Sequence, residues 1–244
     1  MTPALHIHKH PRVRSAKMKT DTPERGLLAA DLAHSIQTPL AILKGELFFL
    51  RQELPENVRA SLCDRLIDSI ASSLSAFLQV SKLEHTLHRD AMVDFCFSEL
   101  CEETIGHLDI LAQAHGVSLH FKIEPLLTLR GLPDKLRELI INIVGNSIKY
   151  IGTGQKRDIY TMLIKNKTAI HLIIEDTGIG MSKEMLQKLY TPFYRGKHET
   201  CDEIQGTGLG LAIVKKIADA HDASVQTTSR LGRGTRTEVV FPLC

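Results

Sequence analysis

Three short stretches in the second half of the chain carry side chains suited to holding a phosphorylated ligand. In Asn142-Ile143-Val144-Gly145-Asn146-Ser147-Ile148-Lys149-Tyr150, the residues Asn142, Asn146 and Lys149 stand four and three apart, so on a helix they share one face. Asparagine oxygens ligate Mg²⁺ without adding negative charge beside phosphates, and lysine neutralises phosphate charge. The second stretch, Ile173-Ile174-Glu175-Asp176-Thr177-Gly178-Ile179-Gly180, is a strand-like run that ends in a carboxylate and then two glycines, where backbone can approach a ligand closely. Asp176 is placed to accept a hydrogen bond from an exocyclic amine such as that of adenine. A plain strand-to-helix turn with Ser182 as the next helix cap is the bland alternative. The third stretch, Gly206-Thr207-Gly208-Leu209-Gly210, opens a helix, where backbone N–H groups and the helix dipole receive phosphate oxygens. It lacks the Gly-Lys-Ser/Thr ending of a P-loop and does not follow a strand as a dinucleotide fingerprint would.

A fourth group lies far upstream, in Asp31-Leu32-Ala33-His34-Ser35-Ile36-Gln37-Thr38-Pro39-Leu40. His34 and Thr38 are one helical turn apart, and Pro39 removes a backbone donor and bends the helix beside them. With an ordinary pKa near 6.5, an imidazole is about three-quarters neutral at pH 7 and has a ring nitrogen available to attack an electrophile. Ser35 cannot carry charge at neutral pH. Asp31, three residues earlier on the same face, is a carboxylate near His34.

The elements that must position these residues fall into two styles. From Thr22-Pro23, an N-cap followed by proline at the first helical position, an apolar stripe runs Leu28, Leu32, Ile36, Leu40, Leu43, Leu47, Leu50. After a break at Leu54-Pro55 a second stripe runs Val58, Leu62, Leu66, Ile70, Leu74, Phe77 and on to Leu83 or Leu87. Two helices of about 30 residues with one stripe each cannot enclose a core alone, and pairing two such hairpins makes a four-helix bundle. A homodimer is the simple solution, and a bundle completed by other parts of a longer chain is the alternative. Beyond Asp94, strands are expected at Val117–Ile123, Leu126–Leu129, Ile159–Ile164, Ala169–Glu175 and Thr235–Phe241, with a hairpin turn at Lys165–Thr168. Helices are expected at Ser98–His115, Asp134–Tyr150, Lys183–Leu189 and Leu209–His221. The elements interleave without regular βαβ repeats, which indicates an α+β sandwich.

Composition narrows the class. Hydrophobic residues make up 43% and charged residues 24% of 244, the balance of a soluble globular protein. No apolar run reaches the roughly 18–20 residues of a membrane span, and no secretory leader is visible. Five scattered cysteines suggest neither a disulfide framework nor a zinc site, which fits a reducing cytosol and a cytoplasmic location. Residues 1–20 carry five Lys/Arg and no acid, which leaves 25 basic against 28 acidic residues in the remainder. Such a tail can touch anionic lipid or nucleic acid, but reads first as a solvated leader or linker, with no nucleic-acid partner expected.

Taken together, in this order and spacing, the three glycine- and asparagine-bearing stretches resemble the N, G1 and G2 boxes of the Bergerat (GHKL) ATP-binding fold of histidine kinases, gyrases and related chaperones. Thr191-Pro192-Phe193-Tyr194-Arg195 resembles the family's F box, and Gly232-Arg233-Gly234-Thr235 its closing glycine motif. The segment from Arg195 to Gln205 would then be the lid. The stretch around His34 resembles the H box of histidine kinases, with Ser35 where the family has an acid. The resemblance implies a sensor histidine kinase of the two-component type. Residues 1–21 would be a basic tail, 22–90 a dimerisation and phosphoacceptor domain, and 94–244 a catalytic domain.

Carried over position by position, the resemblance makes His34 the phosphoacceptor, attacking through Nε2, and Thr38 the residue that orients water for dephosphorylating a response-regulator receiver domain. ATP would be bound by Asn142, Asn146, Lys149, Tyr150, Asp176, Gly178, Gly180, Phe193, Arg195, Gly206, Thr207, Gly208, Leu209 and Gly210, with Asn142 and Asn146 meeting Mg²⁺ through the nucleotide. Gyrase-like hydrolases have a glutamate base at the position of Asn142. An amide cannot act as a general base, which favours transfer over hydrolysis. Ser35 keeps open a second reading, a nucleotide- and partner-binding module with little or no kinase activity. A serine-directed kinase or anti-sigma factor is a third, against which the helical hairpin with its His-x-x-x-Thr-Pro argues. Leu132 stands where the family often has a capping aspartate, with Asp134 as the candidate substitute. With no span of its own, the chain would be attached to or paired with a membrane sensor if the input is external.

Overall fold

The computed structural model describes residues 39–49, 91–196 and 207–243, with single positions at 36, 63, 66, 67, 70, 71, 74 and 87. In the expected hairpin the described positions from 36 to 74 are helical, and Leu87 is not. Four members of the expected stripes, Ile36, Leu43, Leu66 and Ile70, are between 41% and 54% exposed in the single chain. The expected helix start at Thr22-Pro23, the break at Leu54-Pro55, and the candidates Asp31, His34, Ser35, Thr38 and Gly206 lie outside the described residues.

From Val93 onward the chain forms a two-layer α+β sandwich. Strand β1 (Val93–Cys96) leads into helix α1 (Phe97–Ala114). Strands β2 (Ser118–Ile123) and β3 (Thr128–Gly131) precede helix α2 (Pro133–Lys149). Then come β4 (Asp158–Lys165), β5 (Ala169–Asp176), α3 (Lys183–Gln187), α4 (Gly210–Ala220), β6 (Ser224–Arg230) and β7 (Gly234–Pro242). The main sheet is mixed, in the order β2-β4-β5-β7-β6, with β2 and β4 parallel and the other pairs antiparallel. β1 and β3 form a separate antiparallel pair.

Period-two alternation turns Ile159, Leu163, Ile170, Leu172, Ile174, Val239 and Phe241 into one buried layer. Helix α2 answers with Leu136, Leu139, Ile140, Ile143, Val144 and Ile148, at steps of three and four. α1 adds Phe97, whose ring meets that of Phe241 edge-on at 5.3 Å. The apolar side of α2 is consumed by this core, which leaves its Asn142–Asn146–Lys149 side for other work.

The expected elements from α1 to β7 are present with shifts of a few residues, and two strands escaped the sequence pattern. β1 has only four residues. β6, Ser224-Val-Gln-Thr-Thr-Ser-Arg, is an edge strand whose inward side chains after Val225 are the hydroxyls Thr227 and Ser229, so its alternation carries little apolar signal. The strand expected at Leu126–Leu129 begins instead at Thr128. Leu126 sits in a turn with φ 60°, and the turn is closed through Ser98, whose hydroxyl donates to the Glu124 carbonyl and accepts from Leu127 N–H. The helix expected to run to Leu189 ends at Gln187.

Two helix starts follow different rules. Ser182 caps α3, its hydroxyl oxygen accepting from Met185 N–H. Leu132 at the α2 N-cap offers no side-chain bond, and Asp134 contributes only first-turn charge. The long-range partner here is His221, just past α4. Its Nδ1–H donates to the Ile217 carbonyl at 2.7 Å and its Nε2 accepts the Leu132 N–H at 2.9 Å. This ties the start of α2 to the end of α4. A side chain on Gly131 would strike the imidazole.

Candidate functional site

At the C-terminal end of α2 the helix, the end of β5 and the start of α4 enclose a cavity of about 380 Å³. Its α2 wall is the polar face expected from the spacing: Asn142, Asn146, Lys149 and Tyr150 all line it. The Asn142 amide Nδ2 donates to the Glu138 carbonyl at 2.9 Å, which leaves Oδ1 turned toward Gly210. A Cβ built on Gly210 would lie 2.7 Å from that oxygen, so a glycine is needed there for the amide to reach the first turn of α4. An unshared amide oxygen beside a helix N-terminus fits a divalent cation bridging to phosphate.

Lys149 is half-buried. Burial, and secondarily the charge of Arg195, holds its ammonium below the ordinary lysine range. Arg195 also lines the cavity, so two cations face a space in which, among the described residues, Asp176 is the lining carboxylate. A polyphosphate would relieve that repulsion.

Asp176, only 8% exposed, ends β5 at the cavity floor. Its Oδ1 accepts from Gly178 N–H at 2.9 Å and Thr235 N–H at 3.1 Å, and its Oδ2 accepts from the Ser147 hydroxyl at 3.0 Å. Burial pushes its carboxyl above the usual carboxylate range, and the bonds from Gly178, Ser147 and Thr235 oppose that shift.

The glycines divide into two kinds. Gly180, with φ 66°, packs against the Arg230 carbonyl, and Gly234, with φ 94°, against the Asp176 carbonyl; a side chain on either would overlap backbone. Gly178 is likewise pressed on the Tyr150 carbonyl, which also accepts the Ile179 N–H. These glycines let the β5 end, the β6–β7 turn and the α2 end meet. Gly208 (φ 71°) lies against Phe193 and Tyr194 and accepts the Phe193 N–H through its carbonyl at 3.0 Å. This clasp brings together the two edges of the segment read as a lid.

Of the residues read from the sequence, Asn142, Asn146, Lys149, Tyr150, Asp176, Gly180, Arg195, Thr207, Gly208 and Gly210 line one cavity. Gly178, Phe193 and Leu209 do not. Gly178 is a packing glycine, Leu209 is fully buried in the core, and Phe193, left-handed at φ 64°, is 52% exposed with its backbone in the clasp. The residues that the reading missed are Ser147, Thr227 and Thr237, which also line the cavity. Thr227 and Thr237 share a hydroxyl contact at 3.0 Å, and Tyr190 reaches Thr227 at 2.6 Å. A polar residue at a position phased with the apolar side of α2 was the available sign for Ser147; the strand hydroxyls, Thr227 on edge strand β6 and Thr237 on interior strand β7, carry none.

The comparisons agree with this geometry. A family model described as histidine kinase-, DNA gyrase B-, and HSP90-like ATPase matches residues 131–244. The chain is 28% identical over 232 residues to the sensor histidine kinase AruS of Pseudomonas aeruginosa, covering 91% of this chain and 23% of that protein. It is 29% identical over 224 residues to the signal transduction histidine-protein kinase BaeS of Escherichia coli K12, covering 88% and 46%. The chain thus spans less than half of the length of each of these curated relatives. In fold it is similar to full-length ShkA in complex with AMPPNP (TM-score 0.65, 20% identity, 89% of this chain, 46% of that one). It is also similar to the histidine kinase AdeS of Acinetobacter baumannii (TM-score 0.60, 19% identity, 86% and 97%).

Proposed function

We propose that the chain is a sensor histidine kinase, with its ATPase-like domain at residues 131–244, and that it phosphorylates its own His34 from ATP. The observation that carries the proposal is the convergence in one cavity of the α2 polar face, the Asp176 carboxylate and the glycine segment at α4, in a chain whose upstream sequence reads His34-x-x-x-Thr38-Pro39.

In this reading the adenine amine donates to Asp176, and the phosphates run toward Thr207, Gly208 and the N-terminus of α4, where Lys149 and Arg195 offset their charge. Asn142 and Asn146 would hold Mg²⁺, which when bound neutralises part of the phosphate charge. His34 Nε2 attacks the γ-phosphorus, the bond to the bridging oxygen of the β-phosphate breaks, and ADP departs. The proton on Nδ1 is then lost, and Asp31 is the acceptor because Ser35 cannot be one. The phosphoryl group next passes to an aspartate of a response-regulator receiver domain. Thr38 orients water that hydrolyses the aspartyl phosphate, releasing inorganic phosphate, in the opposing phosphatase activity.

Association as a homodimer is supported by Ile36, Leu43, Leu66 and Ile70, exposed apolar residues on the two expected stripes. No described helix is long and apolar enough to cross a membrane, and a cytoplasmic location is part of the proposal. Labelling with γ-phosphate-labelled ATP should give acid-labile, base-stable phosphoprotein that disappears in His34→Gln. Label that survives that substitution overturns the assignment. Ser35 favours one second reading, nucleotide binding without transfer, and tight ATP uptake with no phosphohistidine at any magnesium concentration would select it.

A further inference from the structure

A buried hydroxyl on the apolar side of a helix needs a reason. Ser147 is 6% exposed and belongs, with Ile143, Val144 and Ile148, to the buried residues of α2. A helical serine commonly turns its hydroxyl back onto its own helix, at the carbonyl four residues earlier. Here it crosses instead from α2 to β5 and donates to Asp176 Oδ2 at 3.0 Å. Satisfying Asp176 is not a sufficient reason, because that carboxylate already has two backbone N–H donors on Oδ1.

Counting lone pairs supplies the reason. A carboxylate offers about four acceptor sites, two on each oxygen. Gly178 and Thr235 fill both on Oδ1, and Ser147 takes one on Oδ2. One acceptor site is left for a ligand in the cavity. We propose that Ser147 is a positioning residue that sets nucleobase selectivity, holding Asp176 so that it accepts a single N–H from the base. A 6-aminopurine directs one such N–H beside a ring acceptor and is satisfied. Guanine presents two adjacent donors and needs two acceptor sites, and with Ser147 on Oδ2 only one is left. The assignment rests on Asp176 receiving the base of a nucleotide, as in the reading above.

The test uses equilibrium binding of ATP and GTP to the full 244-residue chain. The wild-type chain should prefer ATP. Ser147→Ala frees the carboxylate and an acceptor site, so ATP should weaken roughly tenfold while GTP stays within about twofold, and the preference shrinks by that ratio. Equal weakening of both nucleotides means a merely structural role and overturns the proposal, as does unchanged ATP affinity with unchanged preference. Should the alanine variant fail to fold, Ser147→Thr and Ser147→Val supply the comparison at matched shape. Threonine should keep the preference and valine lose it, and identical behaviour of the two overturns the proposal. A wild-type chain that binds neither triphosphate overturns the nucleotide reading itself, and the Ser147 assignment with it, and is told apart from the other failures before any variant is made.

Discussion

Strands β4 and β5 each turn a polar side chain into the buried layer between sheet and helices, with opposite outcomes. Asp176 on β5 is met by three donors, from Gly178, Thr235 and Ser147. Thr161 on β4, 1% exposed and paired across the strands with Ile174, has no hydrogen-bond partner for its hydroxyl. Burying a polar group is unfavourable in both places. Around Asp176 three separate elements supply donors, and the group stays available to the cavity. Around Thr161 none of the described residues does. The difference marks where the fold was built for a ligand and where it was only filled.

The sharpest way to break the Asp176 side is to disturb the glycines that let those elements meet. Gly180→Ala and Gly234→Ala put a side chain into the Arg230 and Asp176 carbonyls at left-handed backbone positions. Each should destabilise by about 3–5 kcal/mol in denaturant titrations. Gly106→Ala is the control on α1, where an added Cβ meets nothing, and it should stabilise by about 1 kcal/mol.

The next effect isolates chemistry from folding. Asp176→Asn keeps the shape and one acceptor oxygen for the backbone N–H donors but turns an NH₂ toward Ser147 and the cavity. ATP affinity should fall at least about a hundredfold, with little change in melting temperature. Unchanged affinity would mean that the base does not meet this residue.

A pH experiment extends the comparison to a third buried polar group. Burial holds the His221 imidazole below its ordinary range, and the folded protein keeps it neutral so that Nε2 can accept the Leu132 N–H. The folded-state value is the lower one, so its stability contribution is complete above the unfolded value near 6.5 and is lost as pH falls through that value toward the folded one. Asp176 has the opposite sign, since its folded value is raised, and stability from it is lost as pH rises through the folded value. Melting temperature should drop between pH 7.5 and 5.5, and His221→Gln should flatten that slope. An unchanged slope would remove His221 as the cause.

The smallest effect lies on the Thr161 side. Thr161→Val keeps the shape and removes an unpartnered hydroxyl, so it should stabilise by about 1 kcal/mol and leave nucleotide binding alone. Destabilisation would show that the hydroxyl has a partner after all.

Much of this molecule is written in short-range pattern. The three-and-four spacing of Asn142, Asn146 and Lys149 is enough to place them on one helix face, because helical geometry is local. The same holds for the apolar stripe of α2, the Ser182 cap, and the hairpin between β4 and β5, where the side-chain oxygen of Asn166 gathers the N–H groups of Thr168 and Ala169. The order of the glycine and asparagine stretches was likewise sufficient to indicate an ATP-binding fold. β6 was not visible, because an edge strand with hydroxyls on its inner side has no apolar alternation to detect.

Only the tertiary structure decided what the glycines are for and which polar groups meet. Gly178 and Gly180 read as places where a ligand approaches, yet their missing side chains make room for the Tyr150 and Arg230 carbonyls. Ser147 and Asp176 are 29 residues apart, as are His221 and Leu132 at 89, and no local period connects such pairs. Spacing fixes the face on which a side chain lies. What stands opposite that face is settled when separate elements pack, and packing is where the carboxylate of Asp176 acquired its three donors.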